Sequence, residues 1–447
     1  MKPTLPSELV RDVFDRLSRA NAEFARRYPG EPSSRQPVHT VYGGAHLFRS
    51  DTAKKLGEIA LDALYENAPD ADTFASVLGF PLELAEDVYR RVERKLQSEP
   101  VEDFRLDFED GYGNRPNEEE DGHAQSAARQ VAEGRANGTL PPFIGIRIKP
   151  FTEELRDRSS RTLDLFLTTL RDGGAPLPDG FLLTLPKVTV PEQVTAMADL
   201  LDLLEPRLGL GTHALKFEIM VETPQSIIGA DGRLMLPLLV EAGRGRCVSA
   251  HFGTYDYTAG VNITAAHQQM KHPACDFAKH VMQVSLAGTG VMISDGSTNV
   301  MPVGPHKSTE DHALTVAEVH QNRLTVHRAW RLHYEHVRHS LEGAFYQGWD
   351  LHPAQLPTRF AAVYSFFLES RRAASERLTN FIEKAAQATL VGDVFDDAAT
   401  GQGLLNFFLR GIGCGAIAEE EVLATGITVD ELRGRSFVKI LNNRRRA

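Results

Sequence analysis

LKFEIMVET (215–223) and RCVSAHFGT (246–254) each run from a short apolar, β-branched core into a polar turn; the first ends on Glu222, and Asp256 follows the second by two residues. Six more stretches share that form: VHTVYGG (38–44), FRLDFED (104–110), PFIGIRI (142–148), GFLLTLPKV (180–188), GVMISDG (290–296) and GWDLHP (348–353). Between them lie segments with apolar residues at i, i+3 and i+4 spacing, such as VPEQVTAMADLLDLLE and DFAKHVMQVSLA, the period of an amphipathic helix. Strands that alternate with helices imply βαβ units and parallel pairing. Eight such units predict an α/β chain with a closed (β/α)8 TIM barrel rather than an open sheet.

Working outward, the chain divides into three expected regions. Residues 1–37 form a helical extension and a Pro/Ser linker (PGEPSSRQP), and residues 38–360 form the barrel. Helical insertions are expected near 60–100 and 303–346, and residues 361–447 form a C-terminal helical lid. At 447 residues, with 42% apolar and 24% charged side chains, the chain can bury a full core. Its net charge of −11 makes it a poor nucleic-acid binder, since phosphate binding needs a concentrated basic face. The basic cluster Arg444–Arg446 reads as a solvated tail. Cys247, Cys275 and Cys414 form no CxxC pair, which fits a reducing cytoplasm rather than a disulfide framework. No apolar run approaches the roughly 18 residues of a membrane span, so neither a membrane helix nor a signal peptide is expected.

In a barrel of this kind chemistry sits at the C-terminal strand ends. Those ends carry Asp107, Glu109 and Asp110, Arg147 and Lys149, Lys187, Glu222, Asp256, Asp295 and His352. Any one alone reads as a surface charge. A charge in nearly every unit is more than packing needs. Glu222 and Asp256 come from neighbouring units and can converge on a hard divalent cation, which takes one or two carboxylates and leaves positions for water or substrate. They can also act as an acid/base dyad. Arg147 and Lys187 favour the metal reading, because both suit an anionic substrate, Arg147 through its planar fork. LGLGTHA (208–214) and GIGCGA (411–416) lack the strand–turn–helix context of a dinucleotide loop. His333, His336 and His339 share near-helical spacing but show no fourth ligand.

The ordered series DFEDGYG…AARQ, IRIKP, LPKV, EIMVETPQSI, FGTYDYT, GVMISDG and GWDLHPAQL resembles the citrate lyase β-subunit, malyl-CoA lyase and HpcH/HpaI aldolase superfamily, and more distantly malate synthase. The resemblance spans about residues 38–360. It implies that Glu222 and Asp256 bind Mg2+ (or Mn2+) and that Arg147 binds the substrate acid and steadies an enolate. It places Glu109 and Asp110 near the metal waters, Lys187 in the site wall and His352 at the last strand. The acid/base of the thioester-cleaving members falls at Asp396, with Asp397 beside it, in GDVFDDAA (392–399).

Five features depart from the family pattern: Asp393 replaces a lysine, a proline after the lid motif is missing, Lys149 replaces an asparagine, the first strand reads VYGGAHLF, and the insertions at 60–100 and 303–346 are long for the group. These bear on CoA recognition rather than on the metal pair. The resemblance therefore implies a carbon–carbon lyase or synthase for a small 2-oxo or 2-hydroxy acid, of Claisen type with a CoA thioester. The alternatives are a CoA-independent, metal-dependent pyruvate aldolase and a non-catalytic metabolite-binding member. A homo-oligomer, trimer or hexamer, is implied as well, with no membrane or nucleic-acid partner.

Overall fold

All eight apolar runs form strands, because each carries one apolar face for the surrounding helices and one face for the barrel interior. A computed structural model of the chain describes residues 4–5, 7–32, 34–309, 313–383, 389–391, 394–396, 398–434 and 440. The strands are β1 (His39–Gly44), β2 (Asp103–Asp107), β3 (Phe143–Arg147), β4 (Phe181–Leu185), β5 (Phe217–Val221), β6 (Cys247–Phe252), β7 (Met292–Ser294) and β8 (Gly348–Asp350). They pair in parallel in chain order, and β8 returns to pair with β1. The seam between β7 and β8 closes just past the strands. There Asp295 N–H donates to Gln347 O at 2.9 Å, and Trp349 N–H donates to Gly296 O at 3.0 Å. The expected (β/α)8 barrel is thus the fold observed.

The alternation of side chains along a strand sorts β2 cleanly. Phe104, Leu106 and Phe108 join the apolar core, whereas Asp103, Arg105 and Asp107 make polar contacts across the barrel. Arg105 Nε donates to Glu218 Oε1 and to Thr184 Oγ1, both at 3.2 Å, and its Nη1 pairs with Asp103. Thr40 Oγ1 donates to Asp103 Oδ2 at 3.0 Å. The barrel interior is therefore an ionic ladder, where many barrels stack branched aliphatic side chains. Gly145 lets β3 approach β4, since a Cβ there would run into the backbone of Leu182.

Between β1 and β2 the chain forms three helices, Thr52–Asn67, Ala71–Leu78 and Ala85–Ser98. Two long helices, Val316–Glu342 and Leu356–Glu383, pack on one another and on this group. Trp330 is fully buried among them and donates its indole N–H to Ala354 O at 2.7 Å. The N-terminal helix Ser7–Arg27 leaves Val13, Phe14, Leu17 and Phe24 exposed. Towards the C-terminus a short antiparallel pair (Thr389–Val391 with Val394–Asp396) precedes the helix Ala398–Gly413. Among the described residues no helix is long and apolar enough to cross a membrane. Cys247, Cys275 and Cys414 are buried free thiols.

Candidate active site

Glu222 follows the last residue of β5. The chain then turns at once: Thr223 caps the short helix Pro224–Ile227, and its hydroxyl donates to Val188 O at 2.7 Å. This turn leaves the Glu222 side chain inside, 2% exposed. Its Oε1 accepts the backbone N–H of Lys187 at 2.6 Å. Across from it, Gly253 follows the last residue of β6, and a Cβ there would lie 2.5 Å from both Cβ and Oε2 of Glu222. Only glycine leaves room for that carboxylate. Burial pushes the Glu222 carboxyl up to about 8; Lys187 opposes this shift and Asp256 adds to it.

Lys187 stands at the turn after β4 in a left-handed conformation, φ 49°, which costs energy for a residue with a Cβ. Its Nζ lies 2.6 Å from Glu109 Oε1, 3.2 Å from Asp256 Oδ2 and 3.4 Å from Asp110 Oδ2. Burial disfavours the ammonium, but Glu222, Glu109 and Asp110 hold its pKa above the ordinary lysine range. Asp256 sits in the first turn of the helix Thr254–Gly260 with 42% of its side chain exposed. Glu109 is shifted upward by burial against the pull of Arg147 and Lys187.

Arg147, the last residue of β3, is 1% exposed. Its Nε and Nη2 donate to Asp107 Oδ1 and Oδ2 at 2.7 and 2.5 Å, a bidentate pair. Its guanidinium carbon lies 4.8 Å from the ring centre of Tyr42 and 5.4 Å from that of Trp349, within cation–π range. Asp107 also accepts from the backbone N–H groups of Glu109 and Gly111, at 2.9 and 2.6 Å. Burial alone would raise Asp107, yet Arg147 and these donors hold it below the usual carboxylate range. Nη1 of Arg147 makes no aligned hydrogen bond, although Glu109 Oε2 is 3.1 Å away.

Six residues singled out from sequence therefore meet in one cluster: Glu109, Asp110, Arg147, Lys187, Glu222 and Asp256. His352 has a different place. Its Nδ1 accepts the Ala354 N–H at 3.1 Å and caps the turn Pro353–Gln355. Asp396 ends the second strand of the C-terminal antiparallel pair, but its side chain is not among those described, and Asp397 lies outside the described residues. Asp295 is tied down by Lys279 and Ser340, at 3.1 and 2.6 Å. Lys149 donates to Phe108 O at 2.6 Å and pairs with Glu120. The three spaced histidines do not converge on one point: His333 and His336 share the hydroxyl of Thr298, at 3.0 and 2.9 Å, His333 also meets Asp350, and His339 meets Asp276. Sequence reasoning did not bring out Tyr42, Trp349 and Gly253, nor Asp107 as the partner of Arg147. The signal for Asp107 was present, since the period of two in DFRLD aligns it with Asp103 and Arg105.

Taken with Asp107, the cluster sets five carboxylates against two cations. That donor set suits a hard divalent cation held by Glu222 and Asp256. Among the described residues no group of three or more His, Cys, Asp or Glu side chains is arranged to hold an ion. A cation on these two carboxylates would leave its remaining positions to water or substrate oxygens, the usual habit of Mg2+.

The chain shares its architecture with a citrate lyase from Burkholderia xenovorans LB400, at 17% identity and a TM-score of 0.56, over 87% of this chain and 96% of that one. It is also similar to a malate synthase from Haloferax volcanii solved with magnesium and glyoxylate (12% identity, TM-score 0.46, 90% and 97% covered). A third similar structure is the protein CitE from Mycobacterium tuberculosis in complex with magnesium and acetate (14%, 0.39, 74% and 91%). At these identities the likeness is one of fold, and only the first reaches a TM-score at which it carries weight. No curated protein matches the sequence. One family model spans residues 17–440, nearly the whole chain, and by that match the protein belongs to the family described as a domain of unknown function, DUF6986.

Proposed function

We propose that this protein is a Mg2+- or Mn2+-dependent carbon–carbon lyase or synthase acting on a small 2-oxo or 2-hydroxy acid, of Claisen type with a CoA thioester as second substrate. The observation that carries this reading is the convergence of Glu222, Asp256, Lys187 and Arg147 at the C-terminal ends of β3 to β6. The ordered motif series and the barrel shared with a citrate lyase support it.

In this reading Glu222 and Asp256 hold the cation, which when bound supplies Lewis-acid polarisation and a template for the oxo-acid. Arg147 offers fixed positive charge to the carboxylate or to a developing enolate oxygen. Asp107 and the two aromatic rings keep that guanidinium in place. Glu109 and Asp110 order water at the cluster, and Lys187 lines the substrate side. His352 fixes the last strand end through its cap. Asp396, or Asp397 beside it, moves the proton at the thioester α-carbon. The division into an extension (1–37), a barrel with its helical insertions (38–360) and a lid (361–447), a trimeric or hexameric assembly and a cytoplasmic location belong to the same proposal.

A thermal-shift series tests it, with Mg2+ present and glyoxylate, pyruvate or oxaloacetate added, each with and without CoA and acetyl-CoA. The proposal expects stabilisation by an oxo-acid that deepens with the thioester. Stabilisation by pyruvate that CoA never changes would point instead to a CoA-independent aldolase. Stabilisation by an acid without carbon–carbon chemistry on any acid or thioester would point to a non-catalytic metabolite-binding member, and no response to any acid would contradict the proposal.

A further inference from the structure

The side chain of Lys187 touches one candidate metal ligand and its backbone touches the other. The N–H donates to Glu222 Oε1 at 2.6 Å, and Nζ sits 3.2 Å from Asp256 Oδ2 while also reaching Glu109 at 2.6 Å. A protonated lysine has three donors and no lone pair, so it cannot join a metal's coordination sphere. Its ammonium and a divalent cation compete for the same carboxylate charge. The five carboxylates around it leave Lys187 and Arg147 as the cluster's only cations among the described residues, and Arg147 is already committed to Asp107. Arg147 is also sealed in, 2% exposed at its side chain, whereas the Lys187 side chain is 29% exposed, on the side where Asp256 and Asp110 meet solvent. Of the two cations, Lys187 is the one with a way out. Its four-carbon stem turns easily, and its strained backbone, φ 49°, fixes where the stem begins.

We infer that Lys187 is a resident counter-cation that occupies the charge of the Glu222–Asp256 site and must be displaced for a divalent cation to bind. The inference rests on the metal reading given above. Lys187 then sets the concentration threshold for loading: it keeps the empty cluster from repelling itself apart and weakens the apparent affinity for the ion. It acts as a positioning and gating residue, not as a ligand.

The test is a calorimetric titration of Mn2+ into the full-length wild type and the Lys187→Met, Lys187→Gln and Glu222→Gln variants, paired with thermal unfolding in EDTA and in excess Mn2+. The expected result is that Lys187→Met binds Mn2+ about tenfold more tightly than the wild type. The same variant should melt lower than the wild type in EDTA and gain more from Mn2+. Glu222→Gln should lose binding. Lys187→Gln carries the same comparison if the methionine variant does not fold. Equal or weaker binding by the lysine variants, beside a wild type that binds, would overturn the inference while leaving the metal site standing. Absence of Mn2+ binding in the wild type and in every lysine variant would overturn the metal reading and this inference with it.

Discussion

Asp107 and Arg147 are directly opposed in the β2–β3 register, and their side chains close a two-point hydrogen-bonded pair at 2.7 and 2.5 Å. The pair takes Nε and Nη2 of the guanidinium and leaves Nη1 facing the carboxylate cluster. Asp107 thereby fixes the orientation of the Arg147 guanidinium within the cluster.

Asp107→Asn should show this. The substitution removes one buried charge and leaves the Arg147 guanidinium to be offset by Glu109 and Asp110 alone, which costs about 3 kcal/mol of unfolding free energy. It should also weaken oxo-acid binding more than tenfold, because the freed guanidinium can swing towards Glu109. Denaturant unfolding and calorimetric titration with glyoxylate in Mg2+ check the two parts separately. An unchanged acid affinity would show that Asp107 does not orient Arg147.

Gly253→Ala puts a methyl group 2.5 Å from Cβ and Oε2 of Glu222. One of the two must move, and overpacking of this kind costs about 1–3 kcal/mol. The functional loss should exceed the loss of stability, with Mn2+ affinity falling by at least about tenfold. A variant that binds Mn2+ as the wild type does would mean that Glu222 is not a ligand or that β6 yields freely.

His336 carries a pH dependence of its own. It is 2% exposed and bonded to Thr298 at 2.9 Å. Burial, aided by His333, depresses it to about 3. The unfolded chain takes up a proton near 6.5 that the folded chain refuses, so folding stability falls as pH drops below 6.5 and continues to fall towards pH 3. Raised carboxyls such as Glu222 and Asp103 push stability the opposite way, so the contribution must be isolated by difference. Measured against His336→Asn, the wild type should lose about 2 kcal/mol between pH 7 and pH 5. A difference independent of pH would show that His336 takes up its proton in the fold as readily as in the unfolded chain.

The barrel was legible because its strands bury their outward faces against helices, which turns them into apolar runs that stand out from the charged segments between. The candidate cluster of Glu222, Asp256, Lys187 and Arg147 was legible because charges that end apolar runs of neighbouring units stand out in the sequence. The bond between Asp107 and Arg147 was not, since it depends on the register of two strands 40 residues apart, and a single sequence does not reveal register. The reach of Lys187 across to Glu109 and Asp256 depends on a positive φ that lysine rarely adopts. His352 shows the reverse case: in HPAQ (352–355) a histidine beside a proline satisfies its ring nitrogen on the next turn, a local use that competes with any role in the site. The ionic ladder of Asp103, Arg105 and Glu218 lay in the alternation of DFRLD and KFEIM. It became meaningful only once both strands faced a common interior.

The most direct test is turnover itself. Purified wild type and Glu222→Gln would be incubated with glyoxylate, pyruvate and oxaloacetate, each alone and with acetyl-CoA or propionyl-CoA, in Mg2+ or in EDTA, and products identified by mass spectrometry. The account predicts a new or broken carbon–carbon bond in the wild type with Mg2+ only, and none with Glu222→Gln. Turnover that persists in EDTA or in Glu222→Gln, or its absence across the whole panel, would contradict it.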